Sequence, residues 1–367
     1  MISISLGLAP LSHADQAEGA RRIQFLNYPD CIELRNEAGT VVVLGHHVGG
    51  RVLSYSQQGA ESLYLSPDEK EWTPGGEAKP SSAGRFDIGP EYLVPPRPEL
   101  WRGEWQAEIT GPRSARLTSK PAPAAGVRLI REFTLSANSS HLACTQIIEN
   151  VSDELQSWCH WGRMFAMHGG IGVVPLTPAR ARFPNGYIMM RGRGEMLILP
   201  EDKNIRRRGD FIEILAPPAE PKLGFDSFAG WFAYQMPNNL AFIKTYETYP
   251  DRLYGEIAGL TVSIWYPQSR MCELEPIGPM ENIQPGARAA FTENWHLIPN
   301  EFPAEGEQID LEALAEKVSG LRYASPTYSN RRSGVGTALI AAPHSDPELR
   351  SRCSEPGPPR PRLNRSS

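Results

Sequence analysis

Two short segments hold ionisable side chains where strand geometry would make them act together. In QSWCHWGRMF, residues 156–165, side chains alternate with period two, so Trp158, His160 and Met164 share one side of a strand and Cys159, Trp161, Arg163 and Phe165 the other. His160 is then either a hydrogen-bonded core residue or a proton carrier working near neutral pH. In MCELEPIGPMENIQPG, residues 271–286, the same alternation sets Glu273 and Glu275 on one face, away from Cys272 and Leu274. Two such carboxylates could divide acid and base roles, or one could bond a neighbouring arginine on a solvated face. Pro276, which lacks an N–H, is expected to stop ladder bonding on its side.

A third group lies in GRFDIGPEY, where Arg85, Asp87 and Glu91 lead into a segment rich in proline and aromatics that contains Trp101. They are expected either as polar contacts of a ligand, with Trp101 as a stacking face, or as structural salt bridges. Other chemistries have no handle. His46 and His47 are adjacent and would point to opposite faces of a strand, and no HxH or HExxH spacing occurs, so no metal is expected. Gly334-Val335-Gly336 lacks the third glycine and the preceding strand of a dinucleotide loop, and His168-Gly169-Gly170 precedes strand-like residues instead of a helix. The GxSxG elbow of serine hydrolases is absent, and no cofactor is expected. Arg206-Arg207-Arg208 reads as a solvated turn, with a phosphate or uronate contact as its alternative.

The elements that must position these groups are strands. From Ile23 to Pro299 the chain is a procession of short runs rich in Val, Ile, Phe, Tyr, Trp and Thr, punctuated by Gly, Pro, Asn and Asp, which predicts one large antiparallel all-β sandwich. Helices alternating with strands, as a doubly wound fold requires, are missing. The one predicted helix, Asp310–Leu321, has Asp310 as cap and Leu311, Leu314, Ala315 and Val318 on one face, and is expected to pack outside the sheets. Two long irregular segments, Pro67–Arg85 and Gly89–Trp105, are expected as functional loops, the second as an aromatic cleft wall or a cover over a sheet edge. The expected organisation is a leader or flexible stretch over 1–22, a β-sandwich domain over 23–305, a packing helix over 306–324 and a disordered tail over 325–367, where Ser, Pro and Arg dominate.

Composition narrows the partners. A net charge of −5 gives no attraction to nucleic acid or to an anionic membrane, and no apolar run reaches the roughly 18 residues of a span, so a soluble protein is expected. The five cysteines show no CxxC pairing, and four sit in apolar runs, as unbridged core residues would. Met1–Ala14 is apolar and ends in Ser-His-Ala without a positively charged start, which leaves both a cytoplasmic and a periplasmic or secreted location open.

Several segments together resemble the galactose mutarotase-like superfamily, and an uncharacterised bacterial branch more than the aldose 1-epimerases proper. They are GGRVLSY (Gly49–Tyr55), IIENVSDE (Ile147–Glu154) followed by CHWGRMF, KLGFDSFAGWFAYQ (Lys222–Gln235) and LEPIGPMENIQPG (Leu274–Gly286) leading into FTENWHLIP (Phe291–Pro299), in the family's order. The resemblance implies a mono- or oligosaccharide ligand and a cofactor-independent isomerase, with His160 as general acid and Glu275 as general base for opening a hemiacetal ring. It also implies a sugar-binding position for Asp226, and Trp161, Arg163 and Glu273, which neighbour the implied pair in sequence, join Arg85, Asp87, Glu91 and Trp101 as candidate substrate contacts. The family's earlier His-Gly-Gly segment has no counterpart ahead of His160. A non-catalytic glycan-binding module and a polysaccharide lyase are the alternatives on the same scaffold.

Overall fold

The computed structural model describes residues 16–324, Arg193 excepted. Among them the chain is almost wholly antiparallel β-structure in two sheets. The larger has 13 strands, and its central part runs in the order Arg51–Gln57, Gly84–Gly89, Gln156–Met167, Met271–Ile283, Val262–Trp265, Lys222–Phe225 and Ile188–Arg191. The smaller has 10 strands, centred on Trp231–Gln235, Leu240–Tyr246, Arg288–Pro299, Leu142–Asn150 and Val127–Leu135.

Alternation decides which face each strand buries. In Val127–Leu135, Val127, Leu129, Phe133 and Leu135 enter a core shared with Val42, Tyr55, Phe86, Ile88, Met164, Ile264 and Leu274 of the larger sheet. Each such side chain contributes about 1.5–3 kcal/mol on full burial. Arg131 lies in the same buried row, and its Nη1 donates to Gly50 O at 2.6 Å and Gly84 O at 3.2 Å across the sandwich. Lys244, Glu293, Gln146 and Trp295 form a second buried polar group: Lys244 Nζ donates to Glu293 Oε2 at 2.9 Å and Leu274 O at 3.1 Å, and Trp295 Nε1 donates to Glu293 Oε2 at 2.9 Å. Gln146 Nε2 donates to the other Glu293 oxygen.

The helix spans Leu311–Ala324, and Asp310 Oδ1 accepts from Ala313 N at 2.9 Å as its cap. Its Leu311, Leu314 and Val318 pack on Ile171, Val173, Trp231, Ala233, Ala241 and Ile243, the outer side of the smaller sheet, as the sequence pattern predicts. Cys31, Cys144, Cys159 and Cys272 are buried and free.

Some elements differ from expectation. Strands begin at Gln16, so the sheet starts ahead of residue 23; residues 1–15 and the expected tail over 325–367 lie outside the described residues. Arg206-Arg207-Arg208 is a strand, Ile205–Arg208, paired with Phe211–Ile214, because Arg206 Nε and Arg208 Nε both donate to buried Glu213, at 2.8 and 2.6 Å. Arg208 Nη2 also donates to Ile309 O at 2.6 Å, tying the strand to the approach of the helix. Pro276 does not end its strand: Met271–Ile283 runs through it opposite Val262, and the irregularity appears beyond it, where the register with Cys159 and Trp161 shifts. Each long loop contains a helical turn, Pro67–Glu71 and Pro98–Trp101, with Gly84–Gly89 as a buried strand between them.

Candidate functional site

The outer face of the larger sheet gathers the charged residues. Register places Asp87 opposite Trp161 and Arg85 opposite Arg163 on the strands Gly84–Gly89 and Gln156–Met167. On the other side of Gln156–Met167, Phe165 faces Glu273, which faces Trp265, which faces Lys222; Glu275 faces Ser263. Directly opposed residues share a face, so Arg85, Asp87, Trp161, Arg163, Lys222, Trp265, Glu273 and Glu275 form one continuous patch. Ile88, Phe86, Met164, Leu274 and Ile264 alternate with them into the core.

Arg163 is the hub. Its Nε donates to Glu273 Oε1 at 2.8 Å and lies 3.4 Å from Glu275 Oε1, while Nη1 is 3.8 Å from Asp87 Oδ2. Its guanidinium stands over the Trp101 ring at 5.1 Å and the Trp161 ring at 5.4 Å. Lys222 Nζ donates to Glu275 Oε2 and sits 5.5 Å from the Trp161 ring centre. Arg97, reaching down from the proline-rich loop, clamps Asp87 with two bonds of 2.6 and 2.5 Å. Glu273 Oε2 and Trp161 Nε1 are buried without a hydrogen-bond partner in the protein, and Glu275 Oε1 has only the Arg163 guanidinium at 3.4 Å, so the patch keeps hydrogen-bonding capacity beneath its cations.

The two glutamates differ in protonation. Burial is the main influence on Glu273 and pushes its carboxyl up to about 7, against Arg163 and with the help of the negative charge on Glu275. Burial works to raise Glu275 too, but Lys222 and then Arg163 more than offset it and hold the carboxyl below its ordinary value. Burial alone would lower Arg163, yet Glu273 and Glu275 keep it firmly protonated. A carboxyl that titrates near 7 beside one held ionised, both on a cationic hub, is a division of labour that acid–base catalysis can use.

His160 does not belong to this patch. It faces Ile88 in register and enters the core between the sheets, wholly buried, between the rings of Phe86 and Phe291 at 5.9 and 5.7 Å. Its Nε2 meets Ala289 O of the smaller sheet at 3.1 Å, and burial lowers its pKa to about 4. Alternation therefore separates His160 from Glu275 across the sheet, and the acid–base pair implied by the resemblance is not formed.

The other expected residues divide in two. Trp101, Trp161, Arg163, Asp87 and Glu273 come together with Glu275. Arg85 adjoins them but is committed to the loop: its guanidinium stacks on Trp101 at 4.7 Å and donates to the carbonyls of Trp101 at 2.7 Å and Lys79 at 3.2 Å. Asp226 accepts from Arg182 N at 2.5 Å, a loop anchor outside the cluster. Glu91 is exposed, and only its backbone N–H is engaged, by Glu256 Oε2 at 2.8 Å. Lys222 and Arg97 are side chains of the candidate site that the sequence did not single out. Lys222 opens the KLGFDS segment, whose strand, Lys222–Phe225, is too short and glycine-broken to show a period-two pattern, and Arg97 sits in a loop whose path no periodicity reveals.

An open cavity of about 640 Å³ lined by Tyr64, Lys79, Trp265 and Arg270 adjoins the patch through Trp265. No group of three or more metal-ligating side chains occurs among the described residues, and no helix among them is long and apolar enough to cross a membrane.

No family model matches the sequence, and no curated protein does. Solved structures do. The Slr1438 protein of Synechocystis sp. PCC 6803 superposes with a TM-score of 0.52 at 15% identity, over 76% of this chain and 99% of its own. A galactose mutarotase-like protein from Clostridium acetobutylicum gives 0.51 at 10% identity, over 76% and 98%. Another from Lactobacillus casei ATCC 334 gives 0.50 at 9% identity, over 73% and 100%. At these identities the likeness is one of fold.

Proposed function

From the galactose mutarotase-like fold of this chain, we propose that it is a carbohydrate-active protein that receives a sugar on the outer face of the larger sheet and acts as a cofactor-independent epimerase by acid–base ring opening. The observation that carries the reading is the Glu273–Arg163–Glu275 arrangement, in which one buried oxygen of each carboxyl accepts no hydrogen bond. Opening a hemiacetal requires one group to take the anomeric hydroxyl proton and another to give a proton to the ring oxygen. Glu275, held as a carboxylate by Lys222 and Arg163, is the base. Glu273, raised by burial, is the acid in place of His160. Trp265 supplies aromatic surface of the kind sugar rings stack on, and the cavity it lines supplies room.

The test is anomer exchange followed by NMR over a panel of aldoses, with the wild-type chain and the Glu275→Gln and Glu273→Gln variants. Exchange above buffer that both variants abolish is the expected result. Wild-type rates equal to buffer for every sugar would end the reading. Burial of both carboxylates beneath Arg163 and Lys222 favours a second reading, a glycan-binding module. Saturable binding with no exchange would establish it.

A further inference from the structure

The polar groups of the patch are largely engaged with one another, whereas those of the cavity beside it are not. Asp87 is clamped by Arg97, Glu273 is held by Arg163 and Glu275 by Lys222, and Arg85 donates to backbone carbonyls. The aromatic faces there are covered too, Trp101 by Arg85 and Arg163, and Trp161 by Arg163 and Lys222. Around the cavity the pattern reverses. Trp265 and Tyr64 line it, and among the described residues their rings stack on no other ring and lie under no cation. The Trp265 indole N–H, the Tyr64 hydroxyl and the Arg270 guanidinium make no hydrogen bond within the described protein. Ser66, also in the wall, precedes the Pro67–Glu71 turn without its hydroxyl capping it. Groups of this kind keep water until a polar ligand replaces it. A sugar ring, apolar on its C–H faces and polar at its edge, suits free aromatic faces set among free donors.

The cavity is continuous with the glutamate pair. Trp265 faces Glu273 in register and so stands beside it. Met271, Glu273 and Glu275 are successive outward residues of one strand, and Met271 lines the cavity. At strand rise Met271 is about 7 Å from Glu273 and about 14 Å from Glu275, a span that one pyranose ring cannot cover and two joined rings can. The volume, about 640 Å³, leaves room for a second unit. Binding energy that serves a reaction can come from parts of the substrate remote from the reacting bond. With the patch occupied by its own ion pairs, the uncommitted groups of the cavity are where that energy is to be had.

We infer that the ligand of this site is a reducing oligosaccharide of at least two units, the second held in the cavity between Trp265 and Tyr64 with Arg270 on its hydroxyls. The inference rests on the reading of this face as a sugar site and names the class of sugar. The direction follows from the chemistry. Ring opening by proton exchange requires a hemiacetal, and a linear oligosaccharide has that group at its reducing end alone. The reducing-end ring therefore lies on Glu273 and Glu275, and the next unit beyond Trp265.

Calorimetric titration of the full chain with glucose, maltose, cellobiose and lactose, with anomer exchange followed by NMR, tests it. The three disaccharides share glucose at the reducing end and differ in the second unit or its linkage, so a gain over glucose comes from that unit. At least one should bind about tenfold more tightly than glucose, the size of one well-placed hydrogen bond. Arg270→Ala and Tyr64→Ala should each shrink the ratio of disaccharide to glucose affinity. Arg270 is exposed and unpartnered, so its variant decides the matter if Tyr64→Ala does not fold. Glucose binding as tightly as all three disaccharides, or an advantage that survives Arg270→Ala undiminished, overturns the inference. A disaccharide advantage lost in Arg270→Ala, without anomer exchange, would sink the epimerase reading and keep the two-unit site; exchange of glucose with no disaccharide advantage would do the reverse.

Discussion

His160 and Glu275 stand on opposite faces of the thirteen-stranded sheet: the imidazole meets Ala289 O inside the sandwich, and the carboxylate meets Lys222 outside it. A residue in His160's position is answerable to packing. His160→Asn should leave sugar binding and exchange unchanged while lowering stability at neutral pH by about 1–3 kcal/mol, since a ring between Phe86 and Phe291 is lost. Its pKa of about 4 lies below the ordinary value near 6.5. Between these limits the unfolded chain binds a proton that the native chain does not, so His160 makes stability fall as pH falls through that window. Urea midpoints of both proteins at about pH 5 and about pH 7.5 should show a smaller difference between the two pH values in the variant. A variant with intact folding and abolished exchange would return His160 to the mechanism.

The protonation of the glutamate pair sets a pH profile. Glu273, raised to about 7, carries its proton below that value and loses it as pH rises through it. Glu275 is held below the ordinary carboxylate value and stays ionised until the solution is distinctly acidic. Exchange should then be steady in mildly acidic solution and decline as pH rises through about 7. Lys222→Met removes the largest influence holding Glu275 down and should move the acid limb to higher pH. Measured kcat/KM against pH with no alkaline decline, in a protein whose Glu273→Gln variant is equally active, would contradict the assignment.

Legibility in the sequence followed locality. The period-two pattern correctly separated His160 from Trp161 and Arg163, and placed Glu273 with Glu275. What it could not supply was the pairing of one strand with the next, because nothing in QSWCHWGRMF says which of its faces lies on the same side as the glutamates of Met271–Ile283, more than a hundred residues away. The resemblance then attached His160 to the wrong face. Arg206–Arg208 misled for a related reason: three arginines look solvated until Glu213, on the paired strand, gives two of them an acceptor. The helix was legible because its cap and apolar stripe are contained within one segment.

That stripe makes its own prediction. Leu314 is fully buried against the outer side of the smaller sheet, in the cluster holding Ile171, Val173, Trp231 and Ile243. Leu314→Ala should cost about 2–5 kcal/mol in a urea melt. The patch on the larger sheet lies on another face, so ligand affinity under native conditions should be unaltered. A cost under about 0.5 kcal/mol would mean the helix contributes little to the fold.

The last prediction concerns the ion pair behind the site. Gly162 sits between Trp161 and Arg163, and a Cβ there would fall 2.0 Å from Glu293 Oε1 and 2.9 Å from its Cδ. Glu293 cannot swing aside cheaply, because Lys244, Trp295 and Gln146 all hold it and it is wholly buried. Gly162→Ala must therefore push the strand outward or break the pair. Overpacking of this kind costs about 1–3 kcal/mol, and loss of a buried partner about 3–5 kcal/mol. The same displacement would move Arg163 relative to Glu273, so the variant should lose affinity for its ligand while Leu314→Ala, destabilised comparably, keeps it. Thermal melts and titration of the two variants side by side check both halves. Gly162→Ala with wild-type stability would show that the Glu293 carboxylate has room to retreat, and the strand bearing Arg163 would then not depend on it.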